Sequence, residues 1–173
     1  VHEARGARII PFGGFEMPVR YSSDKEEHLA VRKGIGIFDV SHMGEFLVEG
    51  PHALALIQKV TSNDAAKLID GQAQYSCLPN YEGGIVDDLI VYRFNIEKYL
   101  LVVNASNIEK DWLWISTNND MEAFLSNVSN DYCLFAVQGP KAVDVLQSIT
   151  EVDLAAIKFY HFHEGSLAGI DGI

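Results

Sequence analysis

The chain has 173 residues, of which 48% are hydrophobic and 21% charged, and this composition is typical of a globular protein with one core or two small ones. Its net charge of -11, with no basic block to offset it, argues against nucleic acid or an anionic membrane as a partner. No apolar run has the length of a membrane span and no secretory signal is present, so we expect a cytoplasmic or organelle-matrix protein. Val1 is not an initiator methionine and the final residues read as strand, which predicts a piece of a longer protein.

The first strong element along the chain is a helix that begins at a capping box, Ser23 to Glu26. Apolar residues continue it to Val31, and Gly34 and Gly36 end it. The segment Ile37 to Phe46 then joins this helix to a strand.

An internal repeat follows, in which Phe46 to Thr61 matches Phe135 to Thr150 with Phe, Val, Gly, Pro, Ala, Gln and Thr recurring in step. Each copy predicts a strand, a Gly-Pro break, and a helix that starts at the proline and has one apolar face. Two such units predict related halves or two small α+β domains.

Between the two copies the pattern predicts three strands and a helix. These are a strand at Gln72 to Leu78, a turn at Asn80 to Gly84, strands at Ile85 to Phe94 and Tyr99 to Asn104, and a helix opened by a capping box at Ser106 to Glu109. The order from Phe46 to Val137 is therefore β-α-β-β-β-α-β. It predicts an antiparallel sheet with helices on one face, an α+β fold.

Two adjacent carboxylates lie within the apolar strand Ile85 to Tyr92. Because side chains alternate along a strand, Asp88 shares a face with Ile90 and Tyr92, and Asp87 lies on the other face. Both faces are apolar, so at least one carboxylate points at an apolar layer or a cavity, which costs several kcal/mol, roughly, unless it has a partner or a role. The structural alternative is a turn cap or an arginine partner.

The other motifs carry weaker signals. His42 is more typical of a core or turn residue than of a binding residue. His161 and His163 share a strand face, but no third ligand stands at metal-site spacing, so no metal site is predicted. Cys77 and Cys133 lie in apolar contexts and are expected to be buried thiols. The residues alone thus predict an α+β protein with a carboxylate in a space suited to a flat, aromatic ligand.

Several motifs together resemble the aminomethyltransferase family, the T-protein of glycine cleavage. They are Phe12 to Pro18, Phe38 to Glu45, Tyr75-Ser76, Gly83 to Val91, Val102 to Asn107, Glu109 to Trp112 and Val137 to Pro140. The resemblance implies that the methylene of an aminomethylated lipoyl arm, carried by H-protein, passes to tetrahydrofolate and that ammonia leaves. It implies tetrahydrofolate as co-substrate, no metal, and lipoylated H-protein as partner.

The resemblance also assigns site residues position by position. It identifies Asp88 as the catalytic carboxylate and leaves Asp87 as a structural residue on the opposite face. It implies a folate pocket lined by Met43, Tyr75, Asp88, Ile90, Tyr92, Val102, Asn104 and Phe159. Relatives usually have Tyr at the position of Phe159, a difference that a stacking contact tolerates.

The domain organisation is likewise implied by the family. Residues 1–46 and 129–173 would form part of a discontinuous first domain, and residues 47–128 a ferredoxin-like second domain. The family's C-terminal half, with its barrel and further folate contacts, follows beyond Ile173. We therefore expect this piece alone to be inactive.

Three related functions are alternatives. They are a folate-dependent demethylase, the folate domain of a sarcosine- or dimethylglycine-oxidising enzyme, and a non-catalytic folate-binding protein of iron–sulfur assembly. The intact His42-Met-Gly-Glu45 and Gly83 to Asp88 segments favour the T-protein.

Overall fold

The chain folds into eleven strands and four α-helices, and the computed structural model describes all residues, 1–173. The elements are β1 (Arg8–Phe12), β2 (Phe15–Arg20), α1 (Asp24–Lys33), β3 (Gly36–Asp39), β4 (Gly44–Glu49), α2 (Ala53–Val60), β5 (Gln72–Pro79), β6 (Ile85–Asn95), β7 (Lys98–Val103), α3 (Ile108–Thr117), β8 (Phe124–Asn127), β9 (Phe135–Gln138), α4 (Ala142–Gln147), β10 (Gly165–Leu167) and β11 (Ile170–Gly172). No helix has the length and apolar character required to cross a membrane.

The residues group into two compact units. Unit 1 comprises Val1–His42, Cys133–Ala156 and Glu164–Ile173. Unit 2 comprises Met43–Tyr132 and Ile157–His163. All eight predicted site residues lie in unit 2, which is therefore the unit that positions the site.

Unit 2 is built on a five-stranded antiparallel sheet in the order β5-β6-β7-β4-β8. The apolar face of α2, with Ala53, Leu56, Ile57 and Val60 all buried, packs into the same core as Phe46 of β4. The ring of Phe46 meets Trp112 of α3 edge-on, with 5.1 Å between ring centroids. Both helices thus cover one face of the sheet, and the predicted α+β fold is confirmed.

Unit 1 consists of three two-stranded antiparallel pairs, β1-β2, β3-β9 and β10-β11, with helices α1 and α4. The Gly-Pro break of the second repeat copy packs tightly against the end of α1. Gly139 has a φ of +126°, and a Cβ there would lie 2.4 Å from the carbonyl oxygen of Gly34. Only glycine fits this position.

Three predictions differ from the structure. The last strand of the sheet is β8, whereas Phe135–Gln138 pairs with β3 in unit 1. Helix α3 begins at Ile108, after a 3₁₀ turn, so the predicted capping box at Ser106 to Glu109 is wrong. The amide of Asn107, which stands at the cap position, instead donates to Asp87 Oδ2 over 2.9 Å. Cys133 is exposed and not buried.

Candidate functional site

Strand β6 separates its two aspartates onto opposite faces of the sheet. Leu89 and Val91 are buried beneath the helices, so Asp87, which alternates with them, lies on the helix-covered face. Asp88, Ile90 and Tyr92 occupy the other face. This separation agrees with the alternation predicted from the sequence.

The register brings side chains of three strands together on the face that carries Asp88. Tyr75 of β5 and Val102 of β7 are both paired with Ile90, one from each side. Tyr92 follows on β6, paired with Ala73 and Leu100. The predicted residues of this row are therefore neighbours although they lie far apart in the sequence.

Two hydrogen bonds hold the Asp88 carboxylate. The Tyr75 hydroxyl donates to Oδ2 over 2.5 Å, and the Asn104 Nδ2 amide donates to Oδ1 over 2.7 Å. The hydrogen bond to Asp88 raises the pKa of Tyr75 to about 12, because a second negative charge beside the carboxylate is unfavourable. The phenol therefore keeps its proton and remains a donor to Asp88.

An aromatic segment from late in the chain packs near this row. The Ala73 amide donates to the carbonyl of Tyr160 over 2.8 Å, which holds segment 157–163 along β5. The ring of Phe162 meets Tyr92 edge-on at 5.4 Å between centroids. Burial raises the pKa of Tyr92, and the neighbouring Tyr160 phenol adds to that rise. Tyr160, which the sequence analysis did not select, is thus close to the site.

The two remaining predicted residues, Phe159 and Met43, lie at the edges of the group of side chains around Asp88. Phe159 is 88% exposed, and its ring packs edge-on against Tyr160. Met43 precedes β4, whose first residue Gly44 pairs with Val103, so Met43 lies at the same end of the sheet as Asn104. The roles of both residues stay predictions.

A second polar cluster on the helix-covered face was missed by the sequence analysis. Asp87 accepts from Asn104 Nδ2 at Oδ1 (3.1 Å) and from Asn107 at Oδ2, and the fully buried Asp111 of α3 lies beside it. Burial works to raise the pKa of Asp87, but these hydrogen bonds outweigh it and the pKa is lowered. The spacing of Asn107, at the cap of α3, and Asp111, four residues later in the helix, is the signal that could have found the cluster.

Glu45 was also missed. Glu45 is 2% exposed, and its Oε2 atom has no hydrogen-bond partner. Glu45 pairs with Val102 across β4 and β7, and burial raises its pKa to about 7. A carboxyl in this state exchanges its proton near neutral pH.

Two cavities lie away from the face that carries Asp88. One, of about 310 Å³, lies in unit 1 around Gln147 to Val152. The other, of about 520 Å³, lies in unit 2 between the start of β6 and α3, where Trp114 lines it. Tyr75 is 48% exposed whereas Val102 is buried, so the predicted residues are partly open to solvent in this chain. No three His, Cys, Asp or Glu side chains cluster as metal ligands would.

Comparison with known proteins gives matches along the whole chain. The family model described as GCVT N-terminal domain matches residues 1–173. The aminomethyltransferase of Flavobacterium psychrophilum is 58% identical over 173 residues, which is 100% of this chain and 48% of that protein. The aminomethyltransferase of Bacteroides fragilis is 56% identical over 168 residues, 97% of this chain and 46% of that protein.

Solved structures share the fold. The glycine cleavage system aminomethyltransferase T of Bartonella henselae superposes with a TM-score of 0.87 at 35% identity, over 92% of this chain and 44% of that one. A heterotetrameric sarcosine oxidase of Corynebacterium sp. U-96 has a TM-score of 0.58 at 16% identity, over 85% of this chain and 74% of that one, a likeness of fold alone. The chain spans about half the length of the curated relatives that it matches.

Proposed function

Because this chain belongs to the GCVT N-terminal domain family, we propose that it is the N-terminal half of an aminomethyltransferase of glycine cleavage. The whole protein moves the methylene group of aminomethyl-lipoyl H-protein to tetrahydrofolate and releases ammonia. The observation that carries the proposal is the Asp88 carboxylate, held by Tyr75 and Asn104 on a sheet face that also presents Ile90 and Tyr92.

The chemistry of this face fits a reduced pterin. Tyr75 and Tyr92 offer rings for stacking, and Ile90 and Val102 offer apolar contact. Asp88 offers carboxylate oxygens to ring N–H groups. The binding set that we propose is Met43, Tyr75, Asp88, Ile90, Tyr92, Val102, Asn104 and Phe159. No metal enters the proposal.

The protein's part in the reaction is electrostatic and geometric. Tetrahydrofolate supplies the nitrogen that accepts the methylene group. Asp88 stabilises the positive charge that develops on the transferred carbon as ammonia leaves, and it orients the pterin. Tyr75 and Asn104 fix the two oxygens of Asp88, so the carboxylate does not need to reorganise when the charge appears.

The partners and organisation follow the same proposal. Lipoylated H-protein is the partner, and the bacterial relatives support a cytoplasmic location. Residues 47–128 form the ferredoxin-like second domain, and residues 1–46 and 129–173 belong to a discontinuous first domain. The separate sheet of unit 2 supports a distinct second domain, but unit 2 also includes the start of β4 and residues 157–163.

Replacement of Asp88 by Asn in the full-length protein tests the proposal. The variant keeps the shape of the carboxyl and removes its charge, so turnover with aminomethylated H-protein and tetrahydrofolate should fall by about 10² or more. Glu82→Gln is the matched control, because Glu82 is an exposed carboxylate in the turn before β6. Equal turnover in the two variants, or no transfer by the unmutated protein, would contradict the proposal.

A further inference from the structure

Asp111 is a carboxyl group buried without a conventional donor. The residue is 0% exposed, and neither carboxyl oxygen accepts a hydrogen bond from an N–H or hydroxyl group. Its neighbour is the carboxyl of Asp87, across the gap between α3 and β6. Two carboxyls form a hydrogen bond only when one of them carries a proton. One proton held between the two carboxyls would take the place of the missing donor.

The surrounding charges decide which carboxyl holds it. Burial first, and then the adjacent Asp87, raise the pKa of Asp111 to about 7. Asp88 adds to the rise and Lys110 opposes it, but the Lys110 ammonium is directed to the carbonyl of Val86 over 2.6 Å. Asp87 has its own amide donors and a lowered pKa. Below about pH 7 the proton thus resides on Asp111, although the two groups titrate as a pair.

A single amide links this pair to the opposite face of the sheet. Asn104 Nδ2 donates to Asp87 Oδ1 over 3.1 Å and to Asp88 Oδ1 over 2.7 Å. It also lies 3.3 Å from the Asp88 carbonyl oxygen. The two protons of the amide are therefore shared between carboxylates on the two faces, and the position of Asp87 sets the direction in which Asn104 holds Asp88.

We propose that Asp87 and Asp111 share one proton beneath the sheet and act, through Asn104, as positioning residues for the Asp88 carboxylate. The inference rests on the proposed function for the role of Asp88, but the shared proton is a property of the chain itself. Loss of the proton places two negative charges side by side in the core, and their repulsion displaces Asp87. The orientation of Asn104, and with it turnover, then changes with pH.

The first test reads the linkage without substrate. The full-length protein is labelled with ¹⁵N-asparagine, and the Asn104 side-chain signal is identified by its loss in Asn104→Ser. We expect this signal to shift with a midpoint near pH 7 in the unmutated protein. Asp111→Asn, whose amide donates to Asp87 but does not titrate, removes the midpoint. Glu109→Gln, an exposed carboxylate of the same helix, keeps it. A signal with no midpoint, or a midpoint that survives in Asp111→Asn, would overturn the shared proton.

The second test reads the effect on Asp88 by steady-state kinetics. Asp111→Leu removes the donor, and we expect kcat to fall about tenfold, with a smaller change in KM for tetrahydrofolate. In contrast to Asp111→Leu, Asp111→Asn should retain the kcat of the unmutated protein at pH 6.5. Above pH 7 the unmutated protein loses the shared proton, so the ratio of the kcat of Asp111→Asn to that of the unmutated protein should rise. If the Leu and Asn variants fold and match the unmutated protein at every pH, the positioning role is wrong. A titrating Asn104 signal without any transfer by the unmutated protein supports the shared proton and contradicts the proposed function.

Discussion

The contact between Tyr75 and Asp88 joins a neutral donor to a carboxylate over 2.5 Å on a partly exposed face. Hydrogen bonds to a charged acceptor are stronger than those between neutral groups. The same contact keeps the phenol protonated throughout the physiological pH range. Tyr75 therefore has two separable parts, a partly exposed ring and a hydroxyl that fixes Asp88.

Tyr75→Phe should separate these parts. It keeps the ring and removes the donor, so we expect kcat to fall about tenfold while the affinity for tetrahydrofolate changes little. Turnover and calorimetric titration of the full-length variant give the two numbers. A loss of affinity with unchanged kcat would show that the hydroxyl contacts the ligand and does not act through the Asp88 carboxylate.

Tyr92 offers an aromatic ring, with Phe162 packed against its edge. Tyr92→Ala should weaken the binding of a folate analogue by about 1–3 kcal/mol, the range for loss of a buried or stacked aromatic side chain. Tyr92→Phe, which retains the ring, is the control and should bind nearly as the unmutated protein does. Calorimetry that gives equal affinity for all three proteins would remove Tyr92 from the site.

Two buried carboxyls, Glu45 and Asp111, make stability depend on pH. Burial is the main cause in both, and raises each pKa to about 7 from ordinary values of 4.5 and 3.8. Between these values the folded protein retains protons that the unfolded chain releases. The free energy of unfolding therefore falls as pH rises through this window, by up to about 1.4 kcal/mol per pH unit for each group, and levels off above pH 7.

Thermal unfolding of the full-length protein between pH 5 and pH 8 measures this dependence. Asp111→Asn and Glu45→Gln should each flatten the decline, and the double variant should flatten it most. A decline of unchanged steepness in the double variant would mean that these carboxyls are ionised in the folded protein.

For single residues, the sequence predicts which face of a strand a side chain occupies better than it predicts the hydrogen-bond partners of that side chain. Alternation alone separates Asp87 from Asp88, because a strand has a fixed period of two. The Asn104 amide donates to both aspartates, although Asn104 lies after the end of β7. These contacts depend on the register between β6 and β7. Register is a tertiary property, and for that reason the link that Asn104 makes between Asp87 and Asp88 had no local signal in the sequence.

The two copies of the repeat form the same elements with different burial. Leu56 of α2 is fully buried, whereas Val145, the corresponding residue of α4, is 47% exposed. The difference arises because α2 packs on a five-stranded sheet and unit 1 has only two-stranded pairs. A repeated sequence therefore does not guarantee a repeated core.

Matched side-chain truncations in α2 and α4 of the 173-residue chain measure this difference in burial. Leu56→Ala should lower the free energy of unfolding by about 2–5 kcal/mol through lost burial and a cavity. Val145→Ala should change it by about 0.5 kcal/mol or less, as expected for a surface position. Denaturant unfolding gives both values, and comparable losses would show that α4 is as well covered as α2.

Prediction from the sequence succeeded for elements with a strong period. Strands β5, β6 and β7 and helices α1 and α2 match their predicted positions closely. Strand β8 was missed because Phe124–Asn127 is short, has only one partner strand, and mixes exposed with partly buried residues. The pattern at Phe135–Gln138 does form a strand, but nothing local says which sheet it joins.

At the scale of the molecule, every buried apolar side chain belongs to unit 2. Unit 1 presents large apolar side chains to solvent, among them Phe12, Ile37, Phe38, Phe135 and Ile149. Large apolar side chains exposed in this number favour association. Its two-stranded pairs also provide little independent stability.

We therefore expect the 173-residue chain to self-associate as its concentration rises, and the full-length protein to do so less. Sedimentation velocity on both, at matched concentrations, measures this. Phe38→Ser and Phe135→Ser, which lie on the paired strands β3 and β9, should shift the short chain toward monomer. A monomeric short chain at all concentrations would show that this surface is not adhesive.

The return of residues 157–163 to the sheet of unit 2 has a consequence for synthesis on the ribosome. The five strands are complete once Asn127 has been made, but Phe162, which covers Tyr92 and Phe94, emerges only after the chain has passed through a segment of unit 1. During that interval the aromatic rings of β6 lack this cover, while the sheet beneath them is free to form. The nascent chain thus forms the sheet that carries the predicted site residues first, and packs Phe162 against Tyr92 and Phe94 last. A pause in translation between these points would leave the rings of Tyr92 and Phe94 exposed to other partners.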